Sequence, residues 1–302
     1  MLTVHHRTIY RYNAPMAFGP HRLMLRPRES RTLRLHSHEL TVLPAANVTW
    51  ANDVAGNAVA TANFVARSSE LVIDSIARLT LDVDEWPVFD IAASAATYPF
   101  LLSEEEMTDL GALRLQAYLD STGQLRDWAQ GFVAGEGTDS LALLKDISNG
   151  VAAQIAYEER WDEGTQTPVE TLLYGRGSCR DFAALFVDAV RSLGFGARIV
   201  SGYLYDPGDG TGDDIGETSS AIRGSAGAGS THAWAEVYLP GAGWIMFDPT
   251  NRSVGGFNLI PVAMARHIRQ TMPVSGSFVG DPAAFAGLEV SVSVTPTTDA
   301  AL

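Results

Sequence analysis

Gly175-Arg176-Gly177-Ser178-Cys179-Arg180-Asp181-Phe182 opens the most informative stretch of the chain, GRGSCRDFAALFVDAVRSLGFGARIVSGYL over 175–204. The glycines allow a tight turn. Ser178 then suits a helix N-cap, and Asp181, three residues on, can close a capping box with it. Phe182, Leu185, Phe186, Ala189, Val190 and Leu193 recur at helical spacing, and Gly194 suits the position that ends a helix. Cys179 therefore falls at the first helical position. Unpaired backbone N–H groups and the positive end of the helix dipole favour a thiolate there. The same N–H groups suit an oxyanion forming on a neighbouring carbon. A lone cysteine is more often packing than a nucleophile. What argues for reactivity is the glycine-preceded helix start, which a packing residue does not need.

A thiolate nucleophile needs a base and a group that orients the base. Both are offered by THAWAEVYLPGAGWIMFDPTN over 231–251. Thr231–Leu239 alternates as a strand, Pro240-Gly241-Ala242-Gly243 turns, Trp244–Phe247 returns, and Asp248-Pro249-Thr250-Asn251 ends the hairpin. The start of the first strand and the end of the second lie side by side in such a unit. His232 and Asp248 are thereby paired locally, and a carboxylate accepting the imidazole N–H fixes its tautomer. Taken singly, His232 reads equally well as a strand-end histidine and Asp248 as a turn residue. Only the docking of Cys179 against the hairpin end requires long-range folding.

Working outward, residues 1 to about 90 read as β. Thr3–Tyr12, Leu33–Leu43, Ala58–Val65 and Glu70–Val83 are rich in β-branched and aromatic residues, with turn signals at Asn13-Ala14-Pro15, at 27–30 and at Gly56-Asn57. From about 100 the period becomes helical. Ser103 precedes three glutamates as an N-cap would, Leu125 to Phe132 keep helical spacing, and Leu141 to Ile155 follow a cap at Asp139 or Ser140. After Gly194 strands return, beginning with Ala197–Tyr205. The fold class is α+β: a β-sandwich-like unit over 1–95, then a unit over 96–302 with helices packed on an antiparallel sheet. Residues 206–231 carry seven glycines and read as a loop, either a flap beside a cleft or a tolerated surface insertion.

Composition narrows the function. The chain has 302 residues, 46% hydrophobic and 19% charged, as a folded protein should. A net charge of -14 argues against a nucleic-acid partner. With one cysteine, neither an internal disulfide nor a multi-thiolate zinc cage can form. MLTVHHRTIYRY lacks an apolar h-region and no stretch is long enough to span a bilayer, so the expectation is a cytoplasmic protein without a membrane partner. No phosphate-cradling motif is present, and no cofactor is implied. His36 and His38, two apart on a strand, should share a face but lack a third metal ligand. His5 and His6 should point to opposite faces. Residues 1–34 hold seven arginines and one acid, Glu29, which points to pairing within the chain or with solvent.

The two stretches together resemble the core of the transglutaminase-like superfamily. The first half, from HRTIYRYNAP through LRPR to AGNAV, is similar to the N-terminal region of its bacterial members. The resemblance implies a papain-like catalytic domain in which Cys179 is the nucleophile, His232 the general acid/base and Asp248 its orienting partner. It implies acyl transfer on a peptide or protein substrate through a thioester, as a protease or amidase; the alternatives are a protein-glutamine transglutaminase and a non-catalytic peptide-binding module. Gln154, Tyr157 and Trp161 are candidates for a second oxyanion donor. One tract departs from the pattern. Where many relatives carry Gly-Arg-Asp-Tyr before Pro-Val-x-Gly, this chain has Ala265-Arg266-His267-Ile268 before Pro273-Val274-Ser275-Gly276. If that tract lines the cleft, substrate choice differs from that of the relatives. The sequence leaves the oligomeric state open.

Overall fold

The computed structural model describes residues 1–159, 164–206, 229 and 231–297. Six strands come first: β1 (Leu2–Phe18), β2 (His21–Leu23), β3 (Leu33–Leu43), β4 (Ala46–Asn52), β5 (Ala58–Phe64) and β6 (Ser68–Leu81). A middle region follows, in which β7 (Thr97–Tyr98) pairs with β8 (Thr138–Asp139) around α1 (Glu104–Leu110) and α2 (Gln124–Gln130). Next come α3 (Ser140–Gln154), β9 (Ala156–Tyr157), α4 (Pro168–Tyr174), β10 (Arg176–Gly177) and α5 (Cys179–Ser192). The second sheet is built from β11 (Gly196–Leu204), β12 (Thr231–Leu239), β13 (Gly243–Asp248), β14 (Ser253–Val254) and β15 (Leu259–Ala265). The last strands are β16 (Val274–Ser275), β17 (Phe278–Val279) and β18 (Phe285–Pro296).

The first region is a sandwich. One sheet runs β17-β1-β6-β3, with β18 also on β1, and the facing sheet runs β16-β2-β5-β4. Tyr12, Phe18, Leu23, Leu71 and Ile73 fill the space between them. Two details differ from the sequence reading. Asn13-Ala14-Pro15 does not end the strand; β1 continues to Phe18 through a register shift between Arg11 and Met16. Irregularity inside a long strand and a turn use the same residues, so the signal was ambiguous. Residues 274–296, expected with the second unit, return to the sheets that residues 1–81 build.

In the second region the sheet order is β14-β13-β12-β11-β15, and the register shows every pairing to be antiparallel. α5 lies on one face. Phe182, Leu185, Phe186, Ala189 and Val190 are almost wholly buried against Ala233, Ala235, Val237 and Phe247, with α2 and α3 closing the far side. Each such large apolar side chain contributes about 1.5–3 kcal/mol by leaving water. A helix wrapped on all sides must also satisfy its polar residues. Asp188 accepts from the Ala117 and Tyr118 N–H groups and pairs with Arg191 at 2.9 Å. The Arg191 guanidinium in turn donates to the Leu113, Ala197 and Arg266 carbonyls. The expected caps form: Ser103 with Glu106, Asp139 accepting from Ala142 N–H at 2.7 Å, and Gly194 at φ +97° beyond α5.

The two regions share a core. Leu2, Val4, Leu33 and Leu79 of the sandwich pack on Tyr203, Ile260 and Val262 of the second sheet. The Asn57 side chain, at the tip of the β4–β5 hairpin, clamps β15: Nδ2 donates to the Met264 carbonyl and Oδ1 accepts the Met264 N–H.

Candidate active site

Antiparallel pairing of β12 with β13 runs from Leu239↔Gly243 to Ala235↔Phe247. His232 and Asp248 lie just past the end of that ladder. His232 Nε2–H donates to Asp248 Oδ2 at 2.8 Å, and both side chains are fully buried. The Asp248 carboxylate is saturated. Oδ1 accepts from Thr250 N–H at 3.0 Å and Asn251 N–H at 3.3 Å, and Oδ2 also accepts from Asn251 Nδ2 at 2.8 Å. Such self-bonding turns are what Asp favours after a strand. Asn251 is the residue that sequence reasoning passed over. Its place in the Asp-Pro-Thr-Asn turn, an amide donor three residues beyond the acid, is the available signal.

The electrostatics are those of an ion pair. Burial opposes a charged imidazole, but the charge and hydrogen bond of Asp248, with smaller help from Cys179, raise His232 to about 10. Burial likewise opposes a charged Asp248, and His232 and Asn251 hold it below the ordinary carboxylate range. The remaining ring nitrogen, His232 Nδ1, is buried without a well-directed hydrogen bond. It is the nitrogen left for the Cys179 sulfur, which lies near enough to raise the ring's proton affinity. Trp234 stacks beside the ring, centroids 6.0 Å apart.

Cys179 begins α5 and is 8% exposed. The turn before it is held by Asp181, whose Oδ2 accepts both the N–H and the hydroxyl of Ser178, at 2.8 and 2.9 Å. Its Oδ1 takes Gln166 N–H at 2.7 Å. Gly177 has no room for a side chain: a Cβ would stand 2.8 Å from that of Asp181. β9 and β10 pair in parallel with Tyr157 opposite Gly177, so Tyr157 stands beside the cysteine turn. Its hydroxyl is held protonated by burial and then by Cys179, and its ring meets Phe182 edge-on at 6.1 Å. Gln154 is engaged elsewhere, accepting from Trp128 Nε1 at 2.7 Å. Trp161, and most of the glycine-rich 206–231 loop, lie outside the described residues.

Other expectations fall away from this site. The departing tract is not beside Cys179. Arg266 gives its carbonyl to Arg191, near the opposite end of α5, about 18 Å along the helix from Cys179 at about 1.5 Å per residue. Ile268 is buried in the core and His267 lies against Tyr118 at 4.9 Å. The tract therefore supports the far end of the domain and gives no ground for altered substrate choice. His36 and His38 do not act as a pair. A register shift between Leu35 and Ser37 sends His36 to Thr80 and His38 to Ser75, an odd number of residues apart on β6 and hence on opposite faces. His5 and His6 do diverge, His5 to Asp74 and His6 inward to Tyr203. Arg7, Arg11, Arg22 and Arg26 pair with Asp74, Glu70 and Glu289, Asp53 and Glu29 of the chain itself.

Comparison with known proteins agrees with this architecture. Residues 126–249 match the transglutaminase-like superfamily core, and residues 2–80 match the bacterial transglutaminase-like N-terminal region. An uncharacterised protein of Mycobacterium tuberculosis is 28% identical over 305 residues, covering 97% of this chain and 92% of that protein. One of Mycobacterium leprae is 33% identical over 120 residues, covering 40% and 38%. The crystal structure named a "Putative Cysteine Protease from Cytophaga hutchinsonii" shares the fold, with a TM-score of 0.69 over 98% of this chain and 91% of that one at 17% identity. With both family regions matched in order, the chain belongs to the transglutaminase-like superfamily, its core preceded by the bacterial N-terminal region.

Proposed function

We propose that the protein is a cysteine-dependent acyl-transfer enzyme, a protease or amidase, acting on a peptide or protein substrate through Cys179, His232 and Asp248. The buried 2.8 Å His232–Asp248 pair at the head of α5 carries this reading. The family supports cysteine-dependent chemistry in general.

The Cys179 thiolate attacks a peptide or carboxamide carbonyl carbon, forming a C–S bond and a tetrahedral oxyanion. Backbone N–H groups at the start of α5 and the protonated Tyr157 hydroxyl are the donors for that oxygen. The imidazolium of His232 gives its Nδ1 proton to the leaving nitrogen, the C–N bond breaks, and a thioester remains. Water then attacks the thioester while His232 takes its proton; the C–S bond breaks, releasing a carboxylic acid and the thiolate. Asp248 stays ionised throughout and holds the ring by Nε2–H.

The test is mass-spectrometric profiling of a peptide mixture incubated with and without a primary amine, using the wild type and Cys179→Ala. Cleavage or deamidation that Cys179→Ala abolishes supports hydrolysis, and amine incorporation shifts the reading to a transglutaminase. An intact peptide mixture together with an unreactive Cys179 supports a binding module and overturns the enzyme.

A further inference from the structure

A cleft of about 490 Å³ opens beside the hairpin end, between the segment that follows the sandwich, α3 and β14. Trp86, Phe89 and Phe257 give it apolar walls, and Lys145, Ser148 and Arg252 supply its polar groups. Three observations indicate a built site. Ser148 is 2% exposed and its hydroxyl has no partner, although the residue lines the cleft. A buried hydroxyl left unpaired costs about 1–3 kcal/mol unless something meets it. Lys145, the chain's one lysine, makes no ion pair among the described residues, while the chain as a whole carries -14. Arg252 is a non-glycine residue at positive φ, +55°, a conformation that costs energy. One of its terminal nitrogens donates to the Ala152 carbonyl at 3.0 Å, which fixes the guanidinium at the cleft edge. Among the described residues Glu85 is the only acid in the lining, so that lining is net positive within an acidic protein.

The cleft is also connected to the reacting groups. Ser253, part of its lining, pairs across the ladder with Asp248. From there the lining follows one face of α3 through Ser148 and Asn149 to Lys145, about 10 Å from Ala152 at about 1.5 Å per residue. An extended peptide covers that in about three residues at about 3.3 Å each.

We infer that this cleft is a specificity subsite for an acidic residue of the peptide substrate. Its carboxylate meets Lys145 and Arg252 and accepts the Ser148 hydroxyl, and a neighbouring apolar side chain lies on Trp86 and Phe257. The inference rests on the acyl-transfer reading for the peptide substrate it places there.

Binding and chemistry are tested separately. The probes are short fluorescein-labelled peptides with a central glutamine, a phenylalanine, and one glutamate stepped through successive positions on either side. Each has a twin with glutamine in place of the glutamate. Anisotropy titrations use the full chain carrying Cys179→Ala. One acidic series should bind about tenfold tighter than its twin. Lys145→Gln and Ser148→Ala should each erase most of that preference, while Ser148→Ala leaves the melting temperature unchanged or higher. Equal affinity for glutamate and glutamine peptides overturns the inference, and so does a preference that survives Lys145→Gln. A reactive Cys179 with no glutamate preference removes the subsite and leaves the chemistry. A glutamate preference with an unreactive Cys179 removes the chemistry and leaves a peptide cleft.

Discussion

Asp248→Asn isolates what the carboxylate does for the imidazole. The amide is the same size, and its oxygen can still accept the Thr250 and Asn251 N–H groups. It carries no charge, and its NH₂ group would face the Nε2–H donor. His232 then keeps the burial that disfavours its charged form and loses the strongest influence opposing it. Its value should drop from about 10 to the ordinary 6.5 or below. At pH 8 a ring titrating near 10 is about 99% protonated, and one at 6.5 about 3%, so the imidazolium falls roughly 30-fold. Loss of the correct tautomer adds to this, and asparagine in such a position costs about 10⁴-fold in turnover. The assay is iodoacetamide labelling between pH 5 and 10, roughly the range the two values span. The chain has one cysteine, so every label reports Cys179. Wild type and variant should give clearly displaced labelling profiles, the difference being largest between the two ring values, where the wild-type imidazole is charged and the variant's is neutral. Superimposable profiles would show that Asp248 does not govern the ring, and the proposed triad would lose its third member.

The same pair sets a stability window. His232, raised in the folded state, contributes fully below 6.5 and progressively less as pH climbs toward 10; Asp248, lowered, contributes above its ordinary 3.8 and is lost as pH falls through its depressed value. The melting-temperature gap between wild type and Asp248→Asn should therefore be widest between those limits and close on the alkaline side; a gap that grows toward pH 10 contradicts the assignment. Asp188→Ala strands the buried Arg191 guanidinium and should cost about 3–5 kcal/mol by urea titration, with Cys179 labelling in the folded fraction unchanged. Gly177→Ala forces its new methyl against Asp181 and should cost about 1–3 kcal/mol while slowing labelling, because the turn that aims Cys179 must shift. Ala at Gly202 should be worse, since its Cβ meets the Ile260 carbonyl on the neighbouring strand and backbone cannot step aside; soluble, fully stable Gly202→Ala protein would refute the register drawn there.

Local chemistry was legible where it was self-contained. The helix at Cys179 announced itself through a cap, an apolar period and a closing glycine. The hairpin that pairs His232 with Asp248 needed only alternation and a turn. β4 was missed because most of its residues face solvent and leave little apolar alternation to read. α4 was missed although Thr167, Pro168 and Glu170 form a capping box with proline at its first turn. β18 alternates Leu288, Val290, Val292 and Val294, yet sequence alone says nothing about a partner more than two hundred residues away. Whether the tract that departs at His267 and Ile268 lines the cleft was not legible for the related reason that position along the chain does not give distance from the sulfur.

That last pairing has a consequence for how the molecule is made. β1 is bonded along most of its length to β18, and the Thr297 N–H reaches the Met1 carbonyl at 2.9 Å. On a ribosome adding about 5–20 residues per second, β1 waits roughly 15–60 s for this neighbour. During that interval β6 covers one of its edges and the other is open to nascent chains nearby. Fast translation, or a chaperone that shields strand edges, should raise the soluble yield more than any change near Cys179.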